Sequence, residues 1–121
     1  MKDTDELIEQ AIADQDSADY NSPSGATLTL LSRFADDGKY EAFSQLYLRH
    51  QKVYPANAAF IQGRVIAKIR NAFGRRLDSA LPLMAYEKSH PQFEEDVLAA
   101  LRNPVDFAHY LRQVETHLLN E

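Results

Sequence analysis

Phe60, Ile61, Val65, Ile66, Ile69, Ala72 and Phe73 recur at intervals of one, three and four residues. That spacing gathers them into one broad stripe on a helix and would scatter them over both faces of a strand. The chain from about Asn57 to Phe73 therefore reads as a helix, with Arg64, Lys68 and Arg75 on a different side of it. The same test sorts the neighbouring segments. Tyr40, Phe43, Tyr47, His50 and Tyr54, with Leu46 beside them, follow helical spacing until Pro55 stops the run. Upstream, Thr27 can cap a helix bearing Leu28, Leu30, Leu31, Phe34 and Ala35, and Gly38 in DDGK suits the left-handed turn that ends it. Downstream, Gly74 is expected to close the helix of residues 57–73. Asp78 or Ser79 can cap a further helix through Leu83, Met84 and Tyr86, with Pro82 in its first turn. Pro91 opens PQFEEDVLAALR, whose early acids suit a helix start, and Asn103-Pro104 opens a last helix carrying Phe107, Leu111, Val114 and Leu118. No segment reads as a strand. The expected fold is all-α, with six or seven helices in stacked antiparallel hairpins, either repeat-like or an irregular bundle.

At 121 residues the chain fits one domain and can bury a real core. Asp3 and Glu6 have capping-box spacing ahead of Leu7, Ile8, Ala11 and Ile12, which form a narrow apolar stripe. DQDSADYNSPSGA then reads as a linker. Residues 1–25 are thus expected to be an acidic arm with a short amphipathic helix, tethered rather than embedded, and residues 26–121 a single helical domain. Charge follows this division. Up to Gly25, seven acids face only Lys2; from Ala26 to Phe93, ten Lys and Arg outnumber five acids; after that the balance is acidic again. A net charge of −5 argues against a dedicated nucleic-acid binder, while the basic middle keeps a local anionic contact open. No apolar run approaches the ~20 residues that span a bilayer, and the acidic N-terminus has no signal core. The expectation is a soluble cytoplasmic protein with no membrane role. The absence of cysteine excludes disulfides, thiolate metal sites and a cysteine nucleophile.

Aligning Gly38 with Gly74 brings Lys39 over Arg75, Tyr47 over Leu83, Leu48 over Met84, Lys52 over Lys88 and Pro55 over Pro91 without a gap. GKYEAFSQLYLRHQKVYP and GRRLDSALPLMAYEKSHP resemble the second helices of a degenerate tetratricopeptide-like repeat, a period of about 34 residues. Tyr47 takes the bulky packing position of the first copy, and Pro55 and Pro91 terminate the two. The resemblance covers roughly residues 27–93. It implies helical hairpins with a groove for a partner peptide, and the last two helices would then cap the array.

Chemistry-bearing motifs are sparse. No two of His50, His90, His109 and His117 have the i, i+3 or i, i+4 spacing of a helical metal site, and Asp106 with His109 has no second copy. There is no glycine-rich phosphate loop and no nucleophile elbow, and the carboxylate runs sit at a turn and a helix start. The chain is expected to be non-enzymatic, with no cofactor and no metal.

What remains is a surface. Arg64, Lys68 and Arg75 share one helical side, with Arg70 nearby and Arg76 extending the set across the turn. Such a group can meet an acidic partner segment or phosphates, or can hold the acidic arm in place until a partner displaces it. Tyr47, Tyr54 and Tyr86 are the candidate aromatic anchors of a groove. The leading expectation is an adaptor or regulator binding a peptide or helix of another protein. Nucleic-acid association through the basic side is a less favoured alternative. Homodimerisation through Phe107, Leu111, Val114 and Leu118 is a third.

Overall fold

A computed structural model of the protein describes residues 3–16 and 25–120. Within them are seven α-helices: α1 (Thr4–Asp16), α2 (Gly25–Asp36), α3 (Tyr40–Val53), α4 (Ala58–Arg76), α5 (Leu81–Ser89), α6 (Phe93–Ala100) and α7 (Pro104–Leu119). One 3₁₀ turn, Pro55–Asn57, joins α3 to α4, and the described residues include no strand. The all-α expectation holds. The expected linker falls mostly on residues 17–24, outside the described residues.

The helix ends are set by local chemistry. Gly38 adopts φ +70°, so that its N–H reaches the Ala35 carbonyl and the Lys39 N–H reaches Phe34, the paired bonds of a Schellman turn. The end of α4 departs from expectation. Gly74 stays inside the helix, and Asp78 takes the left-handed position at φ 56°, with Ser79 N–H on the Gly74 carbonyl at 3.0 Å. Asp tolerates this conformation better than most side chains, so a glycine earlier in the run is not required to stop the helix. Thr27, expected as a cap, is instead a buried residue inside α2, which starts earlier at Gly25. Asn103 does cap α7: its Oδ1 accepts from the N–H groups of Val105 and Asp106. Pro82 sits in the first turn of α5, where its missing N–H costs no helical bond.

Helix α2 lies against α1, α3 and α4, while α7 runs along α3 and also meets α5 and α6. The core between them is rich in aromatic rings. Phe43 and Phe107 stack with centroids 5.3 Å apart, joining α3 to α7. The stripe of Phe107, Leu111, Val114 and Leu118 is buried within this chain and so is not available to pair two copies. Helix α1 corrects a second expectation, because it is embedded rather than tethered. Ile8, Ala11 and Ile12 are buried, and Glu9 pairs with Arg49 of α3. Three apolar residues on one narrow stripe suffice to dock a short helix when a complementary surface lies beside it. The acidic arm therefore spends its contact on α2 and α3, and its described acids do not pair with the α4 cations.

At the far end of α4, Arg76 closes a polar cluster over the core. Its Nη2 donates to the Tyr40 hydroxyl, which donates to Glu115 Oε2 at 2.6 Å, and Arg76 Nη1 lies 3.3 Å from the same carboxylate. Burial and the Glu115 bond push the Tyr40 hydroxyl far above its ordinary range, so it stays a neutral donor.

Candidate functional site

The basic residues do not form one continuous patch, because most of them are engaged within the chain. Arg70 reaches Glu87 of α5 through both Nε and Nη2, and Nη2 also meets Glu94 of α6 at 2.6 Å. Arg75 binds Asp36 of α2 at 2.5 Å, and Arg76 is held by Tyr40 and Glu115. These arginines act as cross-braces from α4 to its neighbours. Arg64 and Arg75 nevertheless each stand close enough to Lys68 to act on it. Burial lowers the Lys68 ammonium below its usual range, and Arg64 and Arg75 lower it further, against the opposing pull of Asp36. Arg64 also lies over the Phe60 ring, 4.8 Å from its centroid.

The three tyrosines are packed into the helical body. Tyr47 is 6% exposed, with its hydroxyl toward Gln62. Tyr54 is half-buried against the core, its hydroxyl at the Ile12 carbonyl. Tyr86 stacks on His90 at 3.9 Å and meets His117 and Phe93 edge-on. Helical spacing shows that such rings share an apolar side; it does not show which other helix will cover them.

The large exposed apolar side chains are Val53, Phe60, Leu81, Met84, Val105 and Leu119. Leu81 and Met84 on α5 keep 70% and 58% of their surface in solvent. With Arg70, Ala85, Glu87 and Lys88 they line a shallow groove of about 700 Å³. The sequence reading runs a helix through Leu83, Met84 and Tyr86 and does not single out Leu81. The signal was present in Leu83, which alone in α5 is buried and fixes the phase that turns Leu81 and Met84 outward. Beside this groove, α4 exposes both small residues and larger ones such as Arg64 and Arg70. Gly63 and Ala67 are exposed, and a Cβ built at Gly63 or Gly74 would touch nothing within 4 Å.

A second opening of about 570 Å³ lies between α3, α4 and α6. Tyr47, Gln51, Gln62, Glu95, Leu98, Ala99 and Arg102 line it. Burial raises the Tyr47 hydroxyl above its ordinary range, partly offset by the charge of Arg102.

Among the described residues no group of three or more His, Asp or Glu could hold a metal ion, and no helix is long and apolar enough to cross a membrane. No family model, curated protein or solved structure matches the chain.

Proposed function

We propose that the protein is a non-enzymatic interaction module that seats an amphipathic helix of another protein, acidic along one flank, on the outer side of α4 and α5. The observation that carries this is that Leu81 and Met84, unlike the exposed Val53, Phe60, Val105 and Leu119, line one groove together. Single exposed apolar residues are ordinary, but two large ones lining one groove mark a contact surface. The small exposed residues Gly63 and Ala67 on α4 leave room for a partner backbone, since interaxial distance is set by the side chains at the contact. Arg64 and Lys68, which form no ion pair with a described residue, border that side and favour acidic residues on the partner, and Lys88 adds a further cation at the groove.

The packing order supports the tetratricopeptide-like reading. Helix α2 lies against both α3 and α4, and α4 against α5, as successive hairpins do in such arrays. The outer side of α4 and α5 is then where a following hairpin would pack, and a partner helix supplies the same kind of surface.

The test uses two labelled synthetic helices with the same apolar stripe, one flanked by Glu and one by Lys, read by fluorescence anisotropy. The acidic helix is expected to bind, and Leu81→Gln with Met84→Gln to weaken it at least about tenfold. Equal binding of both helices, or binding indifferent to the double substitution, would refute the assignment. Salt separates this reading from phosphate binding, which falls steeply with ionic strength while an apolar-anchored helix does not.

A further inference from the structure

The opening between α3, α4 and α6 is distinct from the α4–α5 surface, and its chemistry is different. Its walls come from two helical sides. Tyr47 and Gln51 stand one turn apart on α3, and Glu95, Leu98, Ala99 and Arg102 occupy positions i, i+3, i+4 and i+7 along α6 and the turn after it. Gln62 of α4 completes it.

The frame is rigid. Ser44, one turn before Tyr47 and Leu48, is fully buried and donates its hydroxyl to the Leu101 carbonyl at 2.8 Å. Leu101 is itself buried, so Arg102, the next residue, springs from a backbone position fixed relative to Tyr47. Phe93 and Val97, buried on the opposite side of α6, hold Glu95 in the same way. The polar groups within the frame are, by contrast, little used. Neither Glu95 nor Arg102 forms an ion pair with a described residue. The contact from the Tyr47 hydroxyl to Gln62 Oε1 is 3.4 Å, longer than an ordinary hydroxyl hydrogen bond. A buried tyrosine that stays protonated, two carboxamides, one anion and one cation thus surround an apolar floor of Leu98 and Ala99.

We infer that this cleft binds a short extended peptide segment, cationic at the end lying on Glu95 and anionic at the end lying on Arg102. A guanidinium takes a carboxylate through two parallel bonds, and Glu95 takes an ammonium. Seven residues of helical rise separate Glu95 from Arg102 by ~10 Å, which an extended chain spans with about three residues. Between those ends, Gln51 and Gln62 each present one donor group and one acceptor, the complement of a peptide unit. The volume lies within the range of small-ligand sites.

The probes are the unblocked tripeptides Lys-Ala-Glu and Glu-Ala-Lys, titrated into the full isotope-labelled chain and followed by amide chemical shifts. In the first, terminal and side-chain charges add at each end; in the second they cancel. Lys-Ala-Glu is expected to give saturable shifts at Tyr47, Gln51, Gln62 and Leu98 with Kd about 1 mM or tighter, and Glu-Ala-Lys to bind at least about fivefold more weakly. Arg102→Gln and Glu95→Gln, both at exposed positions, are expected to weaken Lys-Ala-Glu by about tenfold each. Ala99→Trp is expected to block the floor while leaving both charges in place. Leu81→Gln with Met84→Gln should leave the binding unchanged, so that this inference and the α4–α5 assignment fail separately. Shifts that do not saturate by about 10 mM, shifts confined to α4 and α5, or affinity unchanged in Arg102→Gln or Ala99→Trp would overturn it.

Discussion

Leu81, Leu83 and Met84 lie within one turn of α5, yet they should respond to substitution in opposite ways. Leu83 is 3% exposed, and Leu83→Ala removes buried methyl groups from the α5 packing contact. A buried leucine truncated in this way costs about 2–5 kcal/mol, from lost transfer energy and the cavity left behind. For Leu81 and Met84, 70% and 58% exposed, roughly a third of each side chain is covered. With about 1.5–3 kcal/mol for full burial, that is about 0.5–1 kcal/mol apiece. Gln nearly matches Leu and Met in helix propensity, so Leu81→Gln with Met84→Gln isolates the surface term. The double variant should lose no more than about 1–2 kcal/mol, a fall in Tm of several degrees for a domain of this size. Leu83→Ala should lose as much or more from one residue. Urea unfolding followed by circular dichroism measures both, and the anisotropy assay measures binding on the same samples. If the double variant is the less stable of the two, Leu81 and Met84 belong to the core, and their exposure cannot be the basis of a partner surface.

Two further outcomes follow from local geometry and charge. Gly38→Ala should cost about 1–2 kcal/mol, because φ +70° is unfavourable for any Cβ and the new atom would stand 3.0 Å from Arg76 Nη1; Asp78→Gly, at φ 56°, should instead stabilise by up to about 1 kcal/mol, and equal effects of the two in thermal unfolding would contradict the turn assignments. His50 is buried in α3, and burial lowers its pKa below the ordinary value near 6.5, so the unfolded chain takes up a proton before the folded one does. Stability is then full above about pH 6.5 and falls as the pH drops below it, by no more than about 1.4 kcal/mol per pH unit for one proton. Unfolding free energy measured between pH 7.5 and 5.5 should show this slope, and His50→Phe should flatten it; an unchanged slope in the variant would refute the assignment.

The periodic part of the fold was legible because it depends on neighbours in sequence. Phe60 to Phe73 and Phe107 to Leu118 announce helices by spacing, and Pro55, Pro82 and Asn103 mark boundaries by chemistry that acts within one turn. What could not be read was decided between helices. Gly74 looked like a helix end because glycine usually takes the left-handed position, yet the coil continues until Asp78 takes it. Ile8, Ala11 and Ile12 show a stripe but not the α2 and α3 surfaces that bury it. The cleft residues come from three separate helices, and Tyr47 was singled out while Gln51, Gln62, Glu95 and Arg102 were not. Their residue types carry no local signal; only the packing of α6 on α4 and α7, with Leu101 bonded to Ser44 of α3, brings them together.

The cations show most clearly how packing changes a functional argument. From sequence, Arg64, Lys68, Arg70, Arg75 and Arg76 look like five charges facing outward. In the fold Arg70 bridges α4 to α5 and α6, Arg75 to α2, and Arg76 to α3 and α7. The Arg75 pair and the Arg70–Glu94 pair lie at the surface and are individually weak, while the Arg76–Glu115 pair is partly covered; together they radiate from one helix and set the positions of its neighbours. Their guanidinium groups already face carboxylates, so an arriving phosphate would have to compete for them. Arg64 and Lys68 are then the members of the set outside any ion pair among the described residues. Two charges fall well short of the 6–10 phosphate contacts behind strong, salt-sensitive nucleic-acid binding. They suffice to orient an acidic flank whose affinity comes from apolar contact. In the proposed complex that contact is assigned to Leu81 and Met84, exposed on α5 beside the α4 side that these two cations border.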